Sequence, residues 1–320
     1  MKKDSTDKKK LLETIWTEVK KLNWNEINSN SKKKFSLVVV GDEIFLNFMR
    51  TELLITHGTI RIIDGLRAKF EVKQNIDVTL LKNVLTMIET KDLDAKRNLI
   101  KSADICITKE DNRDTVQELN SHTYCYCNDI NSLIGLIIEN HESILPALSY
   151  CFPMFRIYAA QKAIQKVALQ NMAWVTATGA PNLIPGPHQT VAAVVEGISD
   201  FVVLTANETR LMLEIIGLSG NIVSPFKCFV EIGFLLGLAT TAKWVAIQIV
   251  GKVPAGAGLV AKCAVAYTFT QAVGQAILVY QLTGKKIGIR EFKVGFTNIY
   301  NESHEFVKQF VDDHLKRKQK

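Results

Sequence analysis

Phe35-Ser36-Leu37-Val38-Val39-Val40-Gly41 is the stretch on which the fold turns. A short β-branched run closed by glycine reads as a buried strand that opens a turn and a helix. A polar segment, Asn28-Ser29-Asn30-Ser31-Lys32-Lys33-Lys34, precedes it and reads as a linker. Upstream, Leu11, Leu12, Ile15, Trp16, Val19 and Leu22 recur at helical spacing opposite Lys and Glu. This helix either docks on a neighbour or lies at a membrane surface.

Gly41 can be set in register with the phosphate-binding loop G-x-x-x-x-G-K-[ST]. The second glycine of the pattern then falls on Leu46, the lysine on Asn47 and the hydroxyl residue on Phe48. Such a loop offers backbone N–H groups and a lysine to phosphates and a hydroxyl to Mg²⁺. Leu46 bars close backbone approach, and Asn47 and Phe48 bring neither charge nor metal ligand. The topology of a nucleotide-binding strand survives here without its chemistry.

Downstream, Thr59–Asp64, Phe70–Val72, Ala103–Thr108 and His122–Cys127 read as strands, and Leu80–Glu89 as a helix. Asn128 or Asp129 caps a helix running to about His141. Strands alternating with helices imply a parallel or mostly parallel sheet. Thr108-Lys109-Glu110-Asp111 fits the [NT]-K-x-D pattern that reads guanine, although it follows what looks like the wrong strand.

The six cysteines include no C-x-x-C pair. Cys125 and Cys127 alternate with Tyr124 and Tyr126, so they share one strand face. A zinc set of four ligands at typical spacing is missing, and reduced structural thiols are expected. No metal and no cofactor are expected. The net charge of +7 is concentrated in lysines near the two ends. These read as solvated tails or, more sharply, as contacts to anionic lipid; without interleaved aromatics lipid ranks above nucleic acid, and nucleic acid is not expected. No apolar h-region follows the N-terminal lysines, so they do not read as a signal peptide.

From Cys151 to Gly284 the chain is apolar and poor in charge. It is punctuated by Pro181–Pro187 and Gly251–Gly258. Helices are expected to about Thr178, over His188–Ile216, over Pro225–Val250 and over Leu259–Leu282. Short connections imply an up-down-up-down bundle of two hairpins. Gly217-Leu218-Ser219-Gly220 is a C-cap signal. Charges gather toward the α/β end. Cys263–Leu282 is long enough to span a bilayer but holds Gln271, Gln275 and Gln281. Two readings stand: a soluble bundle, or hairpins that dock on or enter the membrane. In the second, Lys252 and Lys262 meet lipid phosphates, and His188 is a loop or partner contact. Small residues, Gly274 among them, permit close helix approach. Asn207 and Arg210, at i and i+3, read as a polar cluster bonded to each other or to Glu214. The tail from Glu291 is a linker and an amphipathic helix with Phe306, Val307, Phe310, Val311 and Leu315 on its apolar face.

Three blocks occur in order. They are Asn171-Met172-Ala173-Trp174 through Gly186, Leu204-Thr205-Ala206-Asn207-Glu208-Thr209-Arg210, and Gly251-Lys252-Val253-Pro254 through Tyr267. Over about residues 150–284 the chain thereby resembles the helical domain of unknown function 697. That domain is often appended to Era/TrmE-type GTPase domains in bacterial proteins and includes inner-membrane members. The resemblance implies a GTPase-like front half.

The expected architecture is therefore an α/β chain with a degenerate P-loop GTPase-like domain and an all-α helical bundle. Residues 1–34 are a helix and linker, 35–145 the α/β domain, 150–284 the helical domain, and 285–320 the linker and final helix. No catalytic set can be assembled. The expected role is that of a pseudo-GTPase, scaffolding or regulatory, at the cytoplasmic membrane or on a membrane protein, with homo-oligomerisation a candidate. The runner-up is a divergent cytoplasmic GTP-binding hydrolase.

Overall fold

In the computed structural model, the described residues are 24–57, 78–179, 204, 206–223 and 258–318. The expected strands at Thr59–Asp64 and Phe70–Val72, the helices over 8–22 and 225–250, and both Pro/Gly loops lie outside them, apart from Gly258.

Four parallel strands form the sheet: β1 (Leu37–Gly41), β2 (Leu85–Glu89), β3 (Ile105–Lys109) and β4 (Thr123–Tyr126). Their order is β2-β1-β3-β4. Every β1 residue is buried, as a parallel sheet covered on both faces requires. Alternate residues serve opposite faces. Leu37, Val39, Ile105 and Ile107 join one core, while Val38, Val40, Ile88 and Cys106 join another. Helix α1 (Trp24–Ser31) precedes β1, and α2 (Glu43–Leu53) follows it. The second core is closed by Ile100 of α4 (Arg97–Ser102) and Val116 of α5 (Arg113–Leu119).

Two sequence expectations are corrected. The linker over Asn28–Lys34 is helical as far as Ser31. Asn28 holds that turn in place: its Nδ2 donates to Val223 O at 2.9 Å and its Oδ1 accepts from Val223 N at 3.0 Å. The helix expected over Leu80–Glu89 ends at Val84, where α3 (Val78–Val84) gives way to β2. Leu85 to Glu89 pair with all five residues of β1. Backbone pairing with a buried central strand overrides the helical spacing.

The first core continues without a break into the helices. It runs from β1 and α2 through α6 (Ile130–Asn140) and α7 (Leu145–Cys151) to α8 (Arg156–Gly179), the helix over 206–218 (α9), α10 (Gly258–Thr283) and α11 (Ile289–Lys318). Asp129 caps α6, accepting from Asn131 N at 3.0 Å and Ser132 N at 3.2 Å. Helix α9 ends as its C-cap signal predicts. Gly220 has φ +82°, a left-handed conformation, and Asn221 N donates to Ile216 O at 3.2 Å. The same turn lies against the buried guanidinium of Arg156, which donates to Ser149 O at 3.0 Å and Tyr150 O at 3.2 Å.

Helix α10 packs along α8 and α11. Gly274 gives Ile164 of α8 room against α10: a β-carbon there would fall 2.6 Å from Ile164 Cγ1. In α11, Val307 and Val311 are buried on the expected face, while Phe306 is 43% exposed. The helix starts at Ile289, and the buried Phe292 and Phe296 lie in what reads as linker. Lys162 and Lys166 of α8 sit 3.9 and 3.6 Å from Glu142, so these charges do face the α/β end.

Candidate functional site at the carboxyl rim of the sheet

Among the described strands, the chain leaves β1 toward β2 on one side. It then crosses to β3 on the other and continues outward to β4. The carboxyl ends of β1 and β3 therefore flank a topological switch point, where open α/β sheets bind ligands. Gly41, Asp42, Thr108 and Lys109 meet there.

Gly41 is followed by one residue, Asp42, before α2 begins at Glu43. The four spacer residues of a phosphate loop are thus the cap and first turn of a helix. Asp42 is its N-cap. Oδ1 accepts from Phe45 N at 2.7 Å, and the Asp42 carbonyl accepts from Leu46 N at 3.0 Å. Lys109 Nζ lies 3.5 Å from Asp42 Oδ2. The capping bond from Phe45 and the nearby Lys109 charge hold the Asp42 carboxyl below its usual range. A helix N-terminus is a ready anion site, and here the chain fills it with its own carboxylate. Thr108 Oγ1 donates to Val40 O at 3.1 Å and ties the two strand ends together.

The space beside Gly41 is taken as well. A β-carbon on Gly41 would come 2.4 Å from Phe45 Cδ1. The missing side chain thus admits an aromatic ring. Phe45, Phe48 and Tyr126 form a cluster with ring centroids 5.2–6.4 Å apart. Leu46 is buried in the core. Asn47 is exposed, and its Oδ1 accepts from Arg50 at 3.3 Å.

Beyond Lys109 the rim continues through a 3₁₀ turn, Glu110–Asn112. Asn112 Nδ2 donates to Thr90 Oγ1 at 3.3 Å, joining the turns that follow β2 and β3. Glu110 reaches the end of β4. Its Oε2 accepts from Cys125 Sγ at 2.9 Å and from Cys127 Sγ at 3.5 Å, and Oε1 lies 3.2 Å from Arg113. The two sulfurs do share a face, as their alternation requires. Those thiol bonds, with Arg113, lower the Glu110 carboxyl. Burial and the same carboxylate push the Cys125 thiol up to about 12. Glu110 is invisible to a search for ligand spacing because it reaches the cysteines through strand register: Lys109 pairs with Tyr126, so the next residue stands beside Cys127.

A second polar site lies inside the helices. Glu208 of α9 is fully buried. Its Oε1 accepts from Asn171 Nδ2 at 3.0 Å and from Thr270 Oγ1 at 2.5 Å. Asn207 joins it, donating to Asn171 Oδ1 at 2.7 Å. Burial raises the Glu208 carboxyl to about 7 against the lowering effect of these bonds. The polar cluster placed on Asn207 and Arg210 divides between two partners. Asn207 turns inward to Asn171, whereas Arg210 is exposed and acts on Glu214 through its charge. Lys262 is exposed near the start of α10. Lys252 and His188 lie outside the described residues.

No protein-family model, no curated protein and no solved structure matches the chain.

Proposed function

We propose that the chain is a non-catalytic member of the nucleotide-binding α/β class, a pseudo-GTPase whose rim and helical region serve scaffolding or regulation. The observation that carries this reading is the Asp42 cap on α2. One carboxylate occupies the helix N-terminus, its counter-charge is Lys109, and no loop separates Gly41 from the helix. A triphosphate would have to displace that carboxylate and the Phe45 ring together. The pairing of a GTPase-like front half with a helical partner domain of the 697 kind is part of this proposal.

Association with the cytoplasmic membrane, directly or through a membrane protein, belongs to this proposal as a peripheral contact. Helix α10 is long and apolar enough to cross a bilayer, but 83% of its most apolar window is buried by the protein. That burial favours a bundle helix, and the lysines near the chain ends supply the attraction to anionic lipid. The runner-up, a divergent GTP-binding hydrolase, has Lys109 in its favour, since this lysine could swing from Asp42 to a phosphate.

Titration with a fluorescent guanine nucleotide separates the two. The pseudo-GTPase reading expects no saturable binding up to about 1 mM, whereas a hydrolase should bind in the micromolar range. Flotation with anionic and neutral vesicles tests the membrane contact. It expects co-flotation with anionic vesicles that is lost at high salt.

A further inference from the structure

We propose that Glu110, Cys125 and Cys127 form an open binding site for a thiophilic divalent cation of the zinc class. Their ligand atoms, one carboxylate oxygen and two sulfurs, all lie within 4.8 Å of one another. Zinc–sulfur bonds of about 2.3 Å and zinc–oxygen bonds of about 2.0–2.2 Å set tetrahedral ligands roughly 3.5–3.8 Å apart. The Cys125 and Cys127 sulfurs stand 2.9 and 3.5 Å from Glu110 Oε2. Side-chain rotations of about an ångström therefore open room for an ion between them.

The backbone fixes all three. Cys125 is inside β4 and Cys127 is one residue past it, so both sulfurs project from one face. Glu110 opens the turn after the neighbouring β3. Asn128, with φ 59°, turns the chain directly after Cys127. Arg113 holds the second carboxylate oxygen at 3.2 Å, which orients Glu110 in the way outer partners orient metal ligands.

The chemistry balances without a redox partner. A divalent ion replaces two thiol protons and takes one carboxylate oxygen, and two protons leave to solvent. The resulting local charge of about −1 is offset by Arg113. Three protein ligands leave a fourth position, which opens outward because Glu110 and Cys127 are exposed. Soft thiolates select zinc over magnesium or calcium. Glu110 directly follows Lys109, so bound metal would stiffen the segment whose lysine faces Asp42.

The test is Co²⁺ titration of the reduced, metal-free full chain, followed by thiolate-to-cobalt charge-transfer absorption and reversed with Zn²⁺. One equivalent should bind with a charge-transfer band that Zn²⁺ abolishes. Cys125→Ser and Cys127→Ser should each weaken binding by at least about tenfold and diminish the band. Glu110→Gln should weaken binding while the two-sulfur band survives at saturation. Cys263→Ser, at a buried thiol far from the rim in sequence, should change nothing. Thermal unfolding by circular dichroism establishes that each variant is folded. Absence of a band at saturating Co²⁺, or a band that persists in the folded Cys125→Ser/Cys127→Ser double variant, overturns the proposal. Failure of Zn²⁺ to displace Co²⁺ overturns the assignment to the zinc class.

Discussion

Replacing Glu208 with glutamine should make the protein more stable near pH 8 and slightly less stable near pH 5. Glu208 is raised from an ordinary 4.5 to about 7 by burial. In the unfolded chain it ionises first, so between these values the native state holds one proton more. Stability therefore falls as pH rises through this window. A shift of about 2.5 units at 1.36 kcal/mol each makes the loss ~3 kcal/mol, complete above the native value. The amide of Glu208→Gln keeps an acceptor for Asn171 and Thr270 and never ionises. Its NH₂ takes the place of Oε2, which is buried and meets no hydrogen-bond partner among the described residues. That unsatisfied donor costs about 1 kcal/mol at every pH. The net expectation is a gain of roughly 2 kcal/mol near pH 8 and a loss of no more than about 0.2 kcal/mol near pH 5, where the unfolded carboxyl is already mostly ionised. Urea unfolding followed by circular dichroism at the two pH values measures both. A variant less stable than the parent at both pH values would refute the reasoning, because the carboxylate would then be well solvated or paired.

Further outcomes follow from the packing. Gly41→Ala should destabilise by about 1–3 kcal/mol, since its β-carbon meets the Phe45 ring; the urea midpoint reads it. Asn28→Ala loses both bonds to Val223 and should cost about 1–2 kcal/mol in the same assay. Gly220→Ala sets a side chain at φ +82° against the Arg156 guanidinium and should cost at least about 1–2 kcal/mol, read as a lowered Tm.

Much of the sheet could be read directly from the residues. Leu37–Gly41, Ile105–Lys109 and Thr123–Tyr126 are short, β-branched or aromatic, and bounded by glycine, asparagine or charge, and they lie where their composition puts them. Leu85–Glu89 escaped because Leu81, Val84 and Ile88 also fit a helical face. Only the pairing to β1 decides its state, and that is a long-range interaction. The departure from the phosphate-loop pattern was legible in Leu46, Asn47 and Phe48, but the residue that caps the helix after β1, Asp42, was not. An aspartate after a glycine is common, and its meaning comes from Lys109, 67 residues on. Distance along the chain also hid the Glu208 site. Asn171 and Thr270 stand 37 and 62 residues from it, and the i, i+3 placement of Asn207 beside Arg210 gave no sign of Asn171. Glu110 was missed for a related reason. The turn after a neighbouring strand supplies it, and ligand spacing counts along one strand only.

The central claim is that the chain's own carboxylate and aromatic ring occupy the place of a triphosphate. The most direct measurement is the backbone amide resonances of Gly41, Asp42 and Phe45 during titration with Mg²⁺·GTP. The account predicts that these amides stay unmoved up to about 1 mM nucleotide. Saturable shifts at those three positions in the micromolar range would contradict it.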